Sequence, residues 1–185
     1  VKLVKPENDV IVFTGDGDLS AIGGNHFIHA CRRNIDLTVI CMNNNIYGMT
    51  GGQGSPCTPY GAITTTTPYG MHEMPFNLCA VAEAAGANYV ARWTSFHVKE
   101  LTAAIRAGIE TPGFSFIEVM AQCPTSFGSK NKMKQVSQMI DMFRTNAVLK
   151  GKAERNTCIR YVFNLPSDKK IRSADNGTRK SVLHR

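Results

Sequence analysis

The sequence predicts an α/β fold, a parallel sheet flanked by helices on both faces. Three observations carry that expectation. Short, apolar, β-branched runs recur at residues 9–14, 37–42 and 114–120, the pattern of strands covered on both sides. Segments with helical apolar spacing lie between such runs. The longest stretch with neither pattern, residues 45–73, opens directly behind the second run. Sheets of this kind take their ligands beyond the carboxyl ends of the strands.

The first strand, residues 9–14, runs into Gly15-Asp16-Gly17-Asp18. Residues 19–33 lack proline and carry Ile22, Phe27, Ala30 and Cys31, which predicts one helix. Gly23-Gly24 near its start weakens that helix but permits close approach of a ligand or another backbone. The second strand, residues 37–42, ends in Asn43-Asn44-Asn45. A right-handed crossover between the two would bring the acidic loop and the asparagine loop to the same sheet edge. Residues 45–73 are dense in Gly, Pro, Thr and Ser, and structureless loops of that length are usually functional or disordered. Their place behind the asparagine loop favours function.

Regular alternation then resumes. Residues 75–85 predict a helix with proline near its start and Gly86 at its end, and residues 88–93 a strand. Ser95 is the expected N-cap of a helix striped by Val98, Leu101, Ile105 and Ile109. The strand at 114–120 leads into Ala121-Gln122-Cys123-Pro124-Thr125, and Met133, Val136, Ile140 and Phe143 make a last helical stripe.

The net charge of +7 is unevenly placed. Residues 1–149 hold 11 Lys/Arg against 11 Asp/Glu, whereas residues 150–185 hold 10 against 3 and account for the whole excess. The expected organisation is therefore a neutral α/β domain, 1–149, and a basic, solvated and disordered tail, 150–185. A neutral body carries no nucleic-acid signal. No apolar run reaches the ~18 residues of a membrane helix. The N-terminus lacks both a signal-peptide pattern and a starting Met, so an N-terminally truncated chain is expected. The six cysteines are scattered without a C-x-x-C pair, which argues for a reducing, cytoplasmic setting. Cys31, Cys41 and Cys79 read as small buried hydrophobes. His26, His29 and His72 lie where they could reach a ligand, though a structural or surface role is expected for each; His97 and His184 carry no signal.

The chemistry gathers at Asp16 and Asn44. Mg²⁺ takes about six oxygens in near-octahedral geometry, few of them from protein when phosphate is present. One carboxylate, one amide oxygen and one main-chain carbonyl leave room for diphosphate oxygens and water. Gly15 and Gly17 let backbone approach phosphates, and amides from Asp18 onward would favour the anion. Gly-Asp-Gly alone arises by chance in about one chain of this length in twenty. A strand before it and an asparagine cluster after a second strand make it informative. No P-loop or G-x-G-x-x-G pattern competes.

Gly15-Asp16-Gly17 followed by Asn44-Asn45 resembles the thiamine diphosphate-binding motif. Asn44-Asn45-Ile46-Tyr47-Gly48-Met49-Thr50-Gly51-Gly52-Gln53, with Ser55-Pro56 and Thr58-Pro59 behind it, resembles the beta subunit of 2-oxoacid:ferredoxin oxidoreductases of the 2-oxoglutarate type. Cys123-Pro124-Thr125, Phe127-Gly128 and Asn131-Lys132 are similar to a second signature of that family. The resemblance implies a thiamine diphosphate-binding fold, here incomplete at the N-terminus. It implies Mg²⁺ held by the Asp16 and Asn44 side chains and the Ile46 carbonyl, and thiamine diphosphate contacted by Gly17, Asp18, Gly48 and Met49. It also implies Cys123 as one thiolate of a [4Fe–4S] cluster. In that family a 2-oxoacid is oxidatively decarboxylated, coenzyme A takes the acyl group, and electrons leave singly for ferredoxin. The activating glutamate lies on the alpha subunit, and the other three cluster cysteines lie upstream of the Gly-Asp-Gly motif. This chain alone is thus expected to be inactive, with no catalytic residue of its own. One rival is another thiamine-dependent decarboxylase or an acetolactate synthase-like protein, opposed by the residue 47–53 and 123–125 motifs. The other is a non-catalytic anion-binding domain, opposed by the neutral body and the complete ligand set.

Overall fold

A computed structural model describes residues 1–149 and 159–161. Four strands, β1 (Ile11–Gly15), β2 (Leu37–Asn43), β5 (Tyr89–Thr94) and β6 (Phe114–Met120), form a parallel sheet in the order β1-β2-β6-β5. The expectation of a parallel sheet between helices is met. Two-residue strands β3 (Ile46–Tyr47) and β4 (Gln53–Gly54) make a small hairpin inside the long loop.

β6 is central, and all seven of its residues are buried. Alternation assigns its two faces. Phe114 and Phe116 join Val39, Cys41 and Val90 under α2 (Gly24–Arg32) and α3 (Leu78–Ala84), where Phe27, Cys31, Leu78, Cys79 and Ala82 complete the layer. The Phe27 ring lies 4.9 Å from Phe116 and 6.2 Å from Phe114, within the range of favourable aromatic pairing. Ile117 and Val119 face the other way with Ile40, Ala91 and Trp93, against Ala104 of α4 (Val98–Glu110). Crossovers that advance from β1 through β2 to β5 use α2 and α3 on one face. The crossover that turns back to β6 uses α4 on the other, as right-handed connections require.

Four expectations need correction. The helix expected over 19–33 is two: α1 (Asp16–Ser20) and α2, separated at Ala21, whose φ −92° and ψ −96° leave the helical region. The Ser20 hydroxyl bonds back to the Asp16 carbonyl, and the Gly23 amide reaches the Asp18 carbonyl at 2.8 Å. A Cβ on Gly23 would stand 2.4 Å from that same oxygen, so the chain closes this turn only with glycine. The helix expected from 75 starts at Leu78, because the Asn77 side chain caps the Ala80 amide at 3.3 Å. Ser95 does not cap α4; its hydroxyl donates to Gln122 Oε1 at 2.5 Å, and His97 occupies the cap position. Finally, α5 (Val136–Asn146) buries Met139, Met142 and Phe143, while Val136 is exposed. Those residues pack with Ile46, Met120, Phe127 and Met133 in a third cluster beside the main sheet.

A π-helical turn at Pro124–Gly128 follows β6, a feature with no sequence signal. β7 (Ala147–Leu149) pairs antiparallel with β8 (Ile159–Tyr161), within the stretch expected to be tail. The rest of that stretch lies outside the described residues. Among the described residues no helix is long and apolar enough to cross a membrane.

Candidate functional site

Parallel register brings the two loops together. Gly15 stands opposite Met42, so the chain leaves β1 and β2 at the same height of the sheet edge. Gly15, Asp16, Gly17, Asp18, Asn44, Ile46, Tyr47, Gly48, Met49 and Thr50 line one cavity of about 190 Å³. It contains every residue expected to bind Mg²⁺ or thiamine diphosphate. The anion-favouring helix expected beyond Asp18 is only the five-residue α1, which begins at Asp16 itself.

Asp16 is 1% exposed. Its Oδ1 accepts the Asn44 amide at 3.3 Å and its Oδ2 the Ser55 hydroxyl at 2.5 Å. Burial lifts its carboxyl from 3.8 to about 6; the Ser55 and Asn44 bonds offset part of that rise, and the Glu118 charge adds to it. A carboxylate held under such strain by neutral donors fits a cation at this point. Asn44 supports the same fit. Its Oδ1 accepts the Ile46 amide at 3.2 Å, which fixes the side chain at the cavity wall. One carboxylate, one amide oxygen and the Ile46 carbonyl are hard oxygen donors suited to Mg²⁺. Among the described residues no group of three or more His, Cys, Asp or Glu could hold a metal ion.

Tyr47 fastens the loops to each other. Its hydroxyl donates to the Gly17 carbonyl at 3.0 Å, and its ring lies over Gly17 so closely that a Cβ there would fall 2.3 Å from Cε1. The requirement for glycine at 17 is thus contact with Tyr47 as well as access for a ligand. Gly48 differs, with room for a Cβ at ordinary contact distances. A Cβ on it would lie 3.8 Å from the Cys123 sulfur and 4.0 Å from Asn44 Nδ2, so thiol and asparagine loop face each other across this residue.

Cys123 heads the π turn and is partly exposed. Burial raises its thiol, but the amides of Phe127 and Ser126 and the hydroxyls of Thr125 and Ser126 outweigh that and leave it below the usual value. Cys31, Cys41 and Cys57 differ. Burial pushes Cys31 up to about 11 and raises Cys41 and Cys57 further. Cys31, Cys41 and Cys79 are buried as expected, and so is the loop residue Cys57.

Sequence reasoning passed over three functional groups. Ser55 and Tyr47 were legible only as motif members, because their contacts with Asp16 and Gly17 span 39 and 30 residues. Glu118 had a signal, as the one charge in a mostly apolar strand. It is 1% exposed and stands directly opposite Arg92 in the β5–β6 register, with Arg92 Nε 2.7 Å from its Oε2.

A parallel α/β sheet with a glycine-flanked carboxylate and an asparagine turn at one carboxyl edge is the arrangement of a diphosphate-binding domain. The family model for thiamine pyrophosphate enzymes, C-terminal TPP binding domain, matches residues 1–119, and the chain belongs to that family. It is 58% identical over 154 residues to the 2-oxoglutarate synthase subunit KorB of Methanocaldococcus jannaschii, covering 83% of this chain and 57% of that one. The KorB of Methanothermobacter marburgensis is 55% identical over 153 residues, covering 83% and 54%. Among solved structures, 2-oxoglutarate:ferredoxin oxidoreductase from Magnetococcus marinus, with 2-oxoglutarate, coenzyme A and succinyl-CoA bound, superposes with a TM-score of 0.70 at 29% identity, over 90% of this chain and 60% of that chain. The chain thus spans about half the length of the curated relatives it matches. The resemblance to KorB-type beta subunits read from the motifs is upheld, as is the thiamine diphosphate fold.

Proposed function

We propose that this chain is the thiamine diphosphate- and Mg²⁺-binding part of the beta subunit of a 2-oxoglutarate:ferredoxin oxidoreductase. Such an enzyme converts 2-oxoglutarate and coenzyme A to succinyl-CoA and CO₂, passing two electrons to ferredoxin. The observation that carries the reading is the buried Asp16 carboxylate facing Asn44 at the wall of a cavity that Gly17, Gly48 and Met49 also line. When bound, thiamine diphosphate would supply a nucleophilic carbon for the 2-oxo group and a sink for the electron pair left behind as CO₂ departs.

The chain's own residues have narrower tasks. The Asp16 and Asn44 oxygens and the Ile46 carbonyl hold Mg²⁺. Gly17 and Asp18 from one loop, and Gly48 and Met49 from the other, would contact thiamine diphosphate. The Tyr47–Gly17 contact keeps the loops at a fixed separation, so the metal ligands are ordered before the cofactor arrives. Cys123, with its lowered thiol beside Gly48, is one of the four thiolates a [4Fe–4S] cluster takes. The activating glutamate comes from the alpha subunit. Free cysteines suit a reducing compartment such as the cytoplasm.

In the complete enzyme with ferredoxin as acceptor, kcat/KM for 2-oxoglutarate should exceed that for pyruvate and 2-oxoisovalerate at least tenfold. Preference for either of those reverses the substrate assignment. Unchanged Mg²⁺-dependent thiamine diphosphate affinity in Asp16→Ala, read by calorimetry, removes the site assignment.

A further inference from the structure

Beneath the asparagine loop lies a buried polar chain that runs from Glu118 to Asp16. Glu118 Oε2 accepts Arg92 Nε at 2.7 Å and the Cys79 thiol at 3.3 Å. Its Oε1 accepts Asn43 Nδ2 at 2.7 Å. Asn43 Oδ1 in turn accepts the Asn45 amide at 3.0 Å. The Asn45 carbonyl accepts the Thr58 hydroxyl at 2.7 Å, and Thr58 Oγ1 accepts the Ser55 amide at 2.8 Å. The Ser55 hydroxyl ends the chain on Asp16 Oδ2. Glu118, Asn43, Asn45, Thr58, Ser55 and Asp16 are each 5% exposed or less.

Two features separate this chain from ordinary core packing. It grips Asn43 and Asn45, the residues on either side of Asn44, and it terminates on the Asp16 carboxylate. It also bonds both faces of the Asn45 peptide unit, whose φ of +63° is a left-handed conformation that asparagine adopts more readily than other non-glycine residues. A central-strand carboxylate paired with arginine is an expensive group to bury, and a hydrophobic pair would serve packing as well or better.

We propose that Glu118, oriented by Arg92, is a positioning residue for Mg²⁺-dependent cofactor binding: it fixes the orientation of the Asn43 side-chain amide, whose oxygen receives the Asn45 N–H in the turn that presents Asn44 to Asp16. This rests on the site reading given under Proposed function. The donor order explains why a carboxylate is needed. Glu118 offers acceptors on both oxygens, so Asn43 must turn its NH₂ toward Glu118 and its oxygen toward the Asn45 amide. In Glu118→Gln the amide oxygen stays with the Arg92 guanidinium. The new NH₂ then opposes Asn43 Nδ2, Asn43 flips, and its own NH₂ meets the Asn45 N–H.

The test measures thiamine diphosphate affinity at fixed MgCl₂ by calorimetry on the complete protein, beside the melting temperature without cofactor. Glu118→Gln and Asn43→Ala should each weaken affinity about 10–100-fold, the usual cost of losing a group that orients a metal ligand. The double variant should be no worse than the weaker-binding single, because both act through one bond. Val119→Ala, trimmed from the opposite face of β6, should lower the melting temperature and leave affinity unchanged. Affinity within twofold of the parent in both network variants overturns the proposal. So does an affinity loss that tracks melting temperature across all three. If Glu118→Gln does not fold, Asn43→Ala decides, since it leaves the Glu118–Arg92 pair intact. Asp16→Asn separates the two readings: unchanged affinity there removes the site itself, whereas abolished affinity beside unaffected network variants removes only the positioning role.

Discussion

Replacing Asp16 with asparagine should make the cofactor-free protein more stable while destroying its metal site. The Asp16 carboxyl sits at about 6 in the folded chain against 3.8 ordinarily, with burial as the main cause. A group whose folded value is raised gives its full stability below the unfolded value and loses it as pH rises through the folded one. Above pH 6 the folded protein must therefore hold a carboxylate that burial disfavours by about 3 kcal/mol. Asp16→Asn removes that charge and keeps the shape. The new amide can still accept from Asn44, and the Ser55 hydroxyl can turn to accept from the new NH₂. The gain should be about 3 kcal/mol at pH 8, about half that at pH 5 and little at pH 4. For a domain of this size that is a rise of ~6–12 °C at pH 8. Scanning calorimetry of both proteins without Mg²⁺ or thiamine diphosphate, at those three pH values, checks it. A pH-independent difference, or destabilisation at pH 8, would refute the argument from burial.

In the parent protein, apparent Mg²⁺ affinity should fall about tenfold per pH unit below 6, because the metal needs the ionised carboxylate; titration calorimetry between pH 5 and 7 reads this. Gly17→Ala forces a Cβ to within 2.3 Å of the Tyr47 ring, so it should weaken thiamine diphosphate binding at least tenfold. Adding Tyr47→Ala should restore part of that loss, and strict additivity in the double variant would mean the ring is not the obstacle. Under native conditions at pH 7.5, iodoacetamide should label Cys123 well before Cys31, Cys41 or Cys57, as its thiol is lowered and partly exposed; peptide mass spectrometry ranks the sites. In the complete subunit, Cys123→Ser should lower the iron content; equal iron in both proteins limits Cys123 to a structural part.

What could be read from the sequence follows from what each signal depends on. Phe114–Met120 matched the expected strand residue for residue, because a strand covered on both faces is apolar along most of its length, here all but Ser115 and Glu118. The meeting of Asp16 and Asn44 was legible for a similar reason. Parallel strands joined by one crossover must end at the same edge, and register did the rest. The break at Ala21 was not legible. It depends on the Gly23 amide reaching Asp18 and on the Ser20 hydroxyl turning back to Asp16, and apolar spacing contains neither.

Residues that support the site were hardest to see, and Glu118 shows why. Ligands sit in loops next to glycine and asparagine, so their composition announces them. Supports sit inside strands and helices, where composition announces only packing. Yet a charge in a fully buried strand has no cheap resting state and requires a counter-charge on a neighbour. Arg92 is the one charge in β5, and the parallel register sets it opposite Glu118. That pair could have been found once β5 and β6 were placed side by side. Its hydrogen bond to Asn43 could not, since 75 residues separate the two and only the fold brings them within 2.7 Å.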